Sequence, residues 1–164
     1  MTSLIDMSAR TPARSMFKLL GVILFMALSV FLMAFGVLYA SVHDILFFHA
    51  AAVPSRALED VRPLYFALMT LIGGASFGLG LLGAYVTWLP IRRGVPHAAS
   101  FLAAANAVAL VMAAVTAEKL AHATGSPTSW HIMGVLMAIN LLAWGGTAIA
   151  GRNQDRAQPS VHPN

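Results

Sequence analysis

The residues in this sequence with the greatest capacity for chemistry are a carboxylate and two imidazoles, which lie between two apolar segments. Residues 117–131 read A-E-K-L-A-H-A-T-G-S-P-T-S-W-H and contain Glu118, His122 and His131. A helix places Glu118 and His122, which are four residues apart, about 40° apart around its axis and one turn apart along it. We therefore expect both side chains to address one point.

Carboxylate and imidazole groups bind zinc, copper and iron, so this stretch is a candidate metal site, although it does not firmly imply any cofactor. His131 follows a short turn and His49 lies in the longest internal connection, and each would add an imidazole. The predicted ligands are Glu118, His122, His131 and His49. Haem is less favoured, because no two histidines occupy facing mid-span positions at matching depth. Histidines that only line a membrane interface would give the same spacing, so both interpretations stay open.

The composition predicts an all-α integral membrane protein. Hydrophobic residues make up 59% of the chain and charged residues 10%, whereas soluble domains contain about 25% charged residues. A chain of 164 residues has room for four spans of about 20 residues each. The basic residues are scattered beside apolar segments, so the predicted partner is the lipid bilayer and not nucleic acid. Because the sequence has no cysteine, disulfides and thiolate metal sites are excluded.

The apolar segments predict a four-transmembrane-helix bundle. We expect a polar tail over residues 1–15, a transmembrane domain over 16–151 and a disordered tail over 152–164. The predicted spans are about 16–40, 64–89, 97–123 and 128–150. The first is longer than the apolar core of a cleavable signal peptide, so it is expected to be retained. The connection from 41 to 63 carries charged residues and an apolar piece, which predicts an interfacial or re-entrant segment.

Proline and glycine mark the ends of these spans. Pro90 is expected to end the second span and Pro96 to open the third. Gly125 is expected to end the third, with Ser126 and Pro127 starting the fourth. The third span is rich in alanine and therefore thin, so we expect it at the centre of the bundle.

Small and polar residues within the spans predict helix packing. Gly74 and Gly78 form a GxxxG pair in the second span, and Gly36 with Ala40 gives a similar face in the first. Asn106 and Asn140 lie about midway along the third and fourth spans. We expect these two amides to hydrogen-bond across a helix interface, an interaction worth about 0.6 kcal/mol on average in membranes.

Basic residues predict the orientation. With four spans both termini lie on one side, together with seven basic residues, namely Arg10, Arg14, Lys18, Arg92, Arg93, Arg152 and Arg156. The other side has three, namely Arg56, Arg62 and Lys119. The positive-inside rule then places both termini in the cytoplasm of a bacterial inner-membrane protein, with the histidine and glutamate cluster at the periplasmic mouth.

The functional prediction is a non-enzymatic structural or accessory subunit of a membrane assembly or homo-oligomer. Small size, short loops and glycine-rich helix faces favour it, and no phosphate loop, nucleophile elbow, H-E-x-x-H motif or dinucleotide fingerprint occurs. One alternative is a metal- or small-ligand-binding protein, including an oxidoreductase component, that uses the predicted ligands. A second is an oligomeric transporter with Asn106 and Asn140 lining the path.

Overall fold

The described chain is a set of long helices joined by short connections. The computed structural model describes residues 12–50, 53–125 and 129–155, and within these ranges it contains no strand. The long helices are α1 (Pro12–Ala40), α3 (Leu58–Val86), α4 (Ala98–Thr124) and α5 (His131–Asp155). A short helix, α2 (Phe47–Ala50), and a 3₁₀ turn (Ser55–Ala57) lie between α1 and α3. The predicted all-helical fold is confirmed.

Each of the four long helices is long and apolar enough to cross a membrane. The candidate spans are Met16–Ala40, Ser55–Ile91, Ala98–Thr124 and His131–Ala148. The helices extend beyond the predicted spans: α1 begins at Pro12, inside the predicted tail, and α5 continues to Asp155, inside the segment predicted to be disordered. α3 begins earlier than predicted because Glu59 and Asp60 lie in its first turn, where the helix dipole favours negative charge. Residues 1–11 and 156–164 lie outside the described ranges.

The distribution of polarity is the reverse of that in a soluble bundle. Large apolar side chains point outward along all four long helices; Phe101, Leu71 and Val108 are 71%, 68% and 67% exposed. Of the six largest fully buried side chains in the described ranges, four are polar: Asn106, Asn140, Thr87 and Ser29. An apolar exterior around a partly polar interior suits a hydrocarbon environment, where apolar burial does not drive the packing of helices.

α1 is the central helix of the bundle, and the prediction that the alanine-rich third span would be central is wrong. α1 makes the most extensive contacts, first with α3 and then with α5, whereas α4 packs mainly on α5. Small residues on two sides of α1 explain this, because Gly36 faces α3 and Gly21 faces Ala143 and Thr147 of α5. The alanines give α4 a small diameter, but a small diameter alone does not make a helix pack closely against two neighbouring helices.

Glycines spaced by seven residues bring α1 and α3 together. A Cβ added at Gly73 would lie 2.6 Å from the carbonyl oxygen of Gly36, and one added at Gly80 would lie 2.6 Å from that of Ser29. Seven residues return nearly to the same side of a helix, so both pairs lie along one seam. Ala40 also contacts this seam beside Gly73, which confirms the predicted close face of Gly36 and Ala40.

Gly74 and Gly78 do not pack closely against another helix in the part of the chain that the structure describes. Nothing lies within 4 Å of a Cβ built at either position, and both residues are exposed. With about 100° per residue, Gly74 is turned about 100° and Gly78 about 140° away from Gly73, which faces α1. The sequence identified α3 as a glycine-packed helix correctly, but the side that packs within the chain is that of Gly73 and Gly80.

Pro90 does not end the second span. The chain continues from α3 through a five-residue π-helical turn, Thr87–Ile91, and stays helical at Arg92 and Arg93. Proline lacks an N–H and its ring clashes with the carbonyl four residues earlier in an α-helix, so a locally wider turn accommodates it. α4 starts at Ala98, after His97 with a φ of 62°, and not at Pro96.

The two ends of the bundle differ in charge. One end, here called the basic end, carries Lys18, Arg92, Arg93 and His97. The opposite end, here called the mixed-charge end, carries the connection between α1 and α3 and the adjoining ends of α4 and α5. α4 ends there at Gly125, as predicted, with a φ of 65° and its N–H donating to the Ala121 carbonyl at 2.9 Å. Ser126 and Pro127 lie outside the described residues.

Candidate functional site

Two of the four predicted metal ligands meet at the mixed-charge end. The Nε2 atom of His122 lies 3.0 Å from the Oε1 atom of Glu118, one turn earlier on α4. The helical spacing therefore brings these groups together as predicted. The His122 side chain is 80% exposed and that of Glu118 is 41% exposed, so solvent screens the pair.

The other two predicted ligands have different partners. The Nδ1 atom of His131 lies 2.8 Å from Ser129 Oγ, and its ring stacks on Trp130 with the centroids 4.5 Å apart. His49 contacts Tyr65 of α3. Among residues 12–50, 53–125 and 129–155, no three histidine, aspartate or glutamate side chains are placed to hold one metal ion. The structure thus brings together Glu118 and His122, but it does not gather the predicted set into one site.

His49 belongs to a hydrogen-bonded network that fastens the connection between α1 and α3. The hydroxyl of Tyr65 accepts the backbone N–H of Leu46 at 3.2 Å and lies 3.0 Å from His49 Nδ1. Arg62, one turn earlier on α3, forms an ion pair with Asp44 at 3.2 Å. The connection therefore folds back onto the first turns of α3. This network was not predictable from spacing, because its partners are 16 to 19 residues apart and belong to different elements.

Burial lowers the pKa of His49 below its ordinary value of 6.5. An unprotonated Nδ1 accepts a hydrogen bond from the Tyr65 hydroxyl. When the ring is protonated, Nδ1 can only donate, so the hydroxyl can no longer donate to it. The attachment of the connection to α3 therefore has its full stability above about pH 6.5, the ordinary pKa of a histidine. This stability decreases as the pH falls through that value, because His49 takes up a proton more readily when the connection is detached from α3.

We expect protection of the Leu46 amide from hydrogen exchange, corrected for the intrinsic rate, to fall by up to about tenfold per unit of pH as the pH is lowered below about 6.5. Hydrogen exchange with mass spectrometry checks this. His49→Gln should remove the pH dependence, and His43→Gln, which replaces a nearby exposed histidine, should retain it. A pH response that survives His49→Gln would contradict the assignment.

A buried hydrogen bond between two side chains joins α4 to α5. Asn106 Nδ2 donates to Asn140 Oδ1 at 3.3 Å, and Asn140 Nδ2 donates to the Ala103 carbonyl at 2.9 Å. Asn106 is 2% exposed and Asn140 is 0% exposed. This confirms the predicted amide pair. The Ala103 carbonyl can only accept a hydrogen bond, so the Asn140 amide must point its nitrogen toward it. The Asn140 oxygen then faces Asn106, so the Asn106 amide must point its own nitrogen toward Asn140.

The Asn106 side chain is only partly satisfied, since its Oδ1 atom is buried with no hydrogen-bond partner. Other buried polar side chains bond to their own helices: Ser29 to the Phe25 carbonyl, Thr87 to Gly83 and Thr147 to Ala143. These hydroxyl groups were not among the residues predicted to pack between helices. A signal was available for Ser29, which lies seven residues before Gly36 on the same side of α1.

An apolar cavity of about 170 Å³ lies where α3 and α4 fail to close against each other. All four long helices line it, with Phe31, Leu79, Ala109 and Met133 among the lining residues. Small side chains on the facing helices, including Ala75, Ser76 and Ala113, leave this space. Its lining is apolar apart from Ser76 and does not include Asn106 or Asn140, so it suits a hydrocarbon group better than an ion.

These features define a small all-helical protein with four helices suited to crossing a membrane, a partly polar interior and no group of three potential metal ligands among the described residues. No protein-family model, curated protein or solved structure matches the chain.

Proposed function

We propose that this chain is a multi-pass protein of the bacterial inner membrane that acts as a non-enzymatic structural or accessory subunit and assembles through its own helices into a homo-oligomer. The four long apolar helices and their exposed large hydrophobic residues support the membrane location. Lys18, Arg92 and Arg93 at the basic end support cytoplasmic termini, because basic residues are retained on that side during insertion.

The observation that carries the oligomeric role is the open glycine face of α3. Gly74 and Gly78 are exposed, and a Cβ built at either would meet nothing among the described residues within 4 Å, although closely packed glycines on the adjacent side of the same helix hold α3 against α1. A GxxxG pair with no partner of its own chain lets a second helix approach its backbone. Leu71 and Leu81, both exposed on α3, would flank this contact. A second copy of the chain offers the same face, as a two-fold interface requires.

The alternatives receive less support from the same structure. A metal-binding role has two adjacent groups, Glu118 and His122, and would need the remaining ligands from another copy or partner. A transporter path lined by Asn106 and Asn140 is disfavoured, because these amides are buried against each other and against Ala103.

Disulfide trapping in membranes tests the homo-oligomer. The chain has no cysteine, so Leu71→Cys introduces a single thiol on the side of α3 that carries Gly74 and Gly78. We expect oxidation to crosslink two copies. Adding Gly74→Leu and Gly78→Leu should weaken association by about tenfold or more, equivalent to about 1.4 kcal/mol, and reduce the crosslinked fraction accordingly.

Gly145 provides the matched control for bulk. A Cβ at Gly145 on α5 also meets nothing within 4 Å, so Gly145→Leu adds the same side chain at another open glycine. Crosslinking should persist in that variant. Absence of a crosslink, or equal loss with Gly145→Leu, would count against assembly through α3.

A further inference from the structure

Basic residues from two distant parts of the chain meet at the basic end. The Lys18 ammonium on α1 donates to the carbonyl of Arg92 at 3.5 Å, across 74 residues of sequence. Arg93 follows directly and is exposed. Backbone bonds hold this turn, with Gly94 N–H donating to the Ile91 carbonyl at 3.1 Å and Val95 N–H to that of Pro90 at 2.9 Å. Hydrogen bonds therefore hold the three cationic residues in one region of the structure.

No described acidic side chain neutralises these cations. The acidic side chains that the structure describes are Asp44, Glu59, Asp60 and Glu118, and all four lie at the mixed-charge end. Arg62 at that end has ion pairs with Asp44 and Glu59. None of these four carboxylates, whose side chains the structure describes, forms an ion pair with Lys18, Arg92 or Arg93. Like charges held close together favour an anion from outside the chain.

Trp88 positions the Arg92 guanidinium next to the exposed apolar surface of the helices. Its ring lies under the Arg92 guanidinium, 4.3 Å from ring centroid to Cζ, and the residue is 61% exposed. Tyr85, one turn earlier in α3, is 59% exposed. Tryptophan and tyrosine occupy the boundary between headgroups and hydrocarbon, so Arg92 is held at headgroup level while the surface next to it remains apolar.

We propose that Lys18, Arg92, Arg93 and Trp88 form a binding site for an anionic phospholipid, with the cations on the phosphate headgroup and the acyl chains against Trp88 and Tyr85. Charge complementarity selects the headgroup, and the adjacent exposed aromatic residues select a lipid over a soluble phosphate. The site rests on the membrane location in the proposed function and is independent of the homo-oligomer.

Tryptophan fluorescence in vesicles tests the site. The full-length chain with Trp130→Phe and Trp144→Phe keeps Trp88 as its single tryptophan. It is reconstituted into phosphatidylcholine vesicles in which an equal fraction of either phosphatidylglycerol or phosphatidylcholine carries brominated acyl chains, which quench tryptophan on contact. We expect stronger quenching by brominated phosphatidylglycerol. Each cation contributes about fivefold to binding near an anionic lipid surface, so Lys18→Gln, Arg92→Gln and Arg93→Gln together should reduce the preference by about tenfold or more.

Matched charge changes separate this site from net charge. Arg56→Gln, Arg62→Gln and Lys119→Gln remove three cations from the mixed-charge end and should keep the preference, as should Lys18→Arg with Arg92→Lys and Arg93→Lys. Wild-type preference should also fall in 1 M salt, where screening acts within about 3 Å. Equal quenching by the two lipids, or a preference that survives loss of the three basic-end cations, overturns the site alone. Failure to enter vesicles of either composition overturns the membrane location and the site with it.

Discussion

Replacing Asn140 with leucine is expected to lower the free energy of unfolding by about 2–3 kcal/mol, because it leaves the buried amide of Asn106 without a hydrogen-bond partner and removes the bond from Asn140 to the Ala103 carbonyl. Asn140 accepts a hydrogen bond from Asn106 and donates one to the Ala103 carbonyl, and it is 0% exposed. Asn106→Leu should cost less, about 1 kcal/mol, because it also removes the unpartnered Oδ1 of Asn106. Both losses can be measured by titrating the protein in mild detergent with a denaturing detergent and following its reversible unfolding by circular dichroism.

The double variant distinguishes a hydrogen-bonded pair from two independent sites. With leucine at both positions no amide is left unpaired, so the combined loss should be smaller than the sum of the single losses. Thr116→Val is the control for loss of a polar group, since Thr116 is exposed and its hydroxyl bonds only to the Met112 carbonyl of its own helix. Its expected effect is within about 0.5 kcal/mol. Additive losses, or equal losses for Asn106→Leu and Asn140→Leu, would contradict the network.

The amide pair was predictable because it follows from the depth of two polar residues in consecutive apolar helices. Long apolar segments fix the number of helices, and Asn106 and Asn140 lie at similar depths in consecutive helices. An amide in hydrocarbon needs a partner, and the neighbouring span supplies one. The pairing of Glu118 with His122 was also predictable, since the periodicity of one helix brings them together.

Properties that depend on how helices rotate against one another were not predictable. A GxxxG pair marks a helix that others can approach closely, but it does not say which helix approaches or on which side. Gly73 and Gly80, which pack on α1, are as small as Gly74 and Gly78, which face outward. The same limit explains why the four predicted metal ligands do not meet. His49 and His131 belong to elements whose positions relative to α4 do not follow from sequence spacing.

Neighbouring glycines on α3 make this rotation measurable. Gly73→Ala places a Cβ 2.5 Å from the backbone nitrogen of Ala40 and 2.6 Å from the Gly36 carbonyl oxygen. Backbone atoms cannot move aside as a flexible side chain can, so α1 and α3 must separate along their seam. We expect a loss of about 2–3 kcal/mol in the free energy of unfolding of the detergent-solubilised monomer, at the upper end of the range for overpacking.

Gly74→Ala adds the same methyl group one residue later, where nothing lies within 4 Å, and should be neutral or stabilise the helix by up to about 1 kcal/mol. The interface between α1 and α5 provides a second matched pair on the same physical grounds. A Cβ at Gly146 would lie 2.7 Å from the Phe17 carbonyl oxygen, whereas one at Gly145 meets nothing, so Gly146→Ala should destabilise and Gly145→Ala should not. Equal effects within either pair would mean that the helix is rotated from the orientation described, since packing against α1 is the difference that each pair isolates.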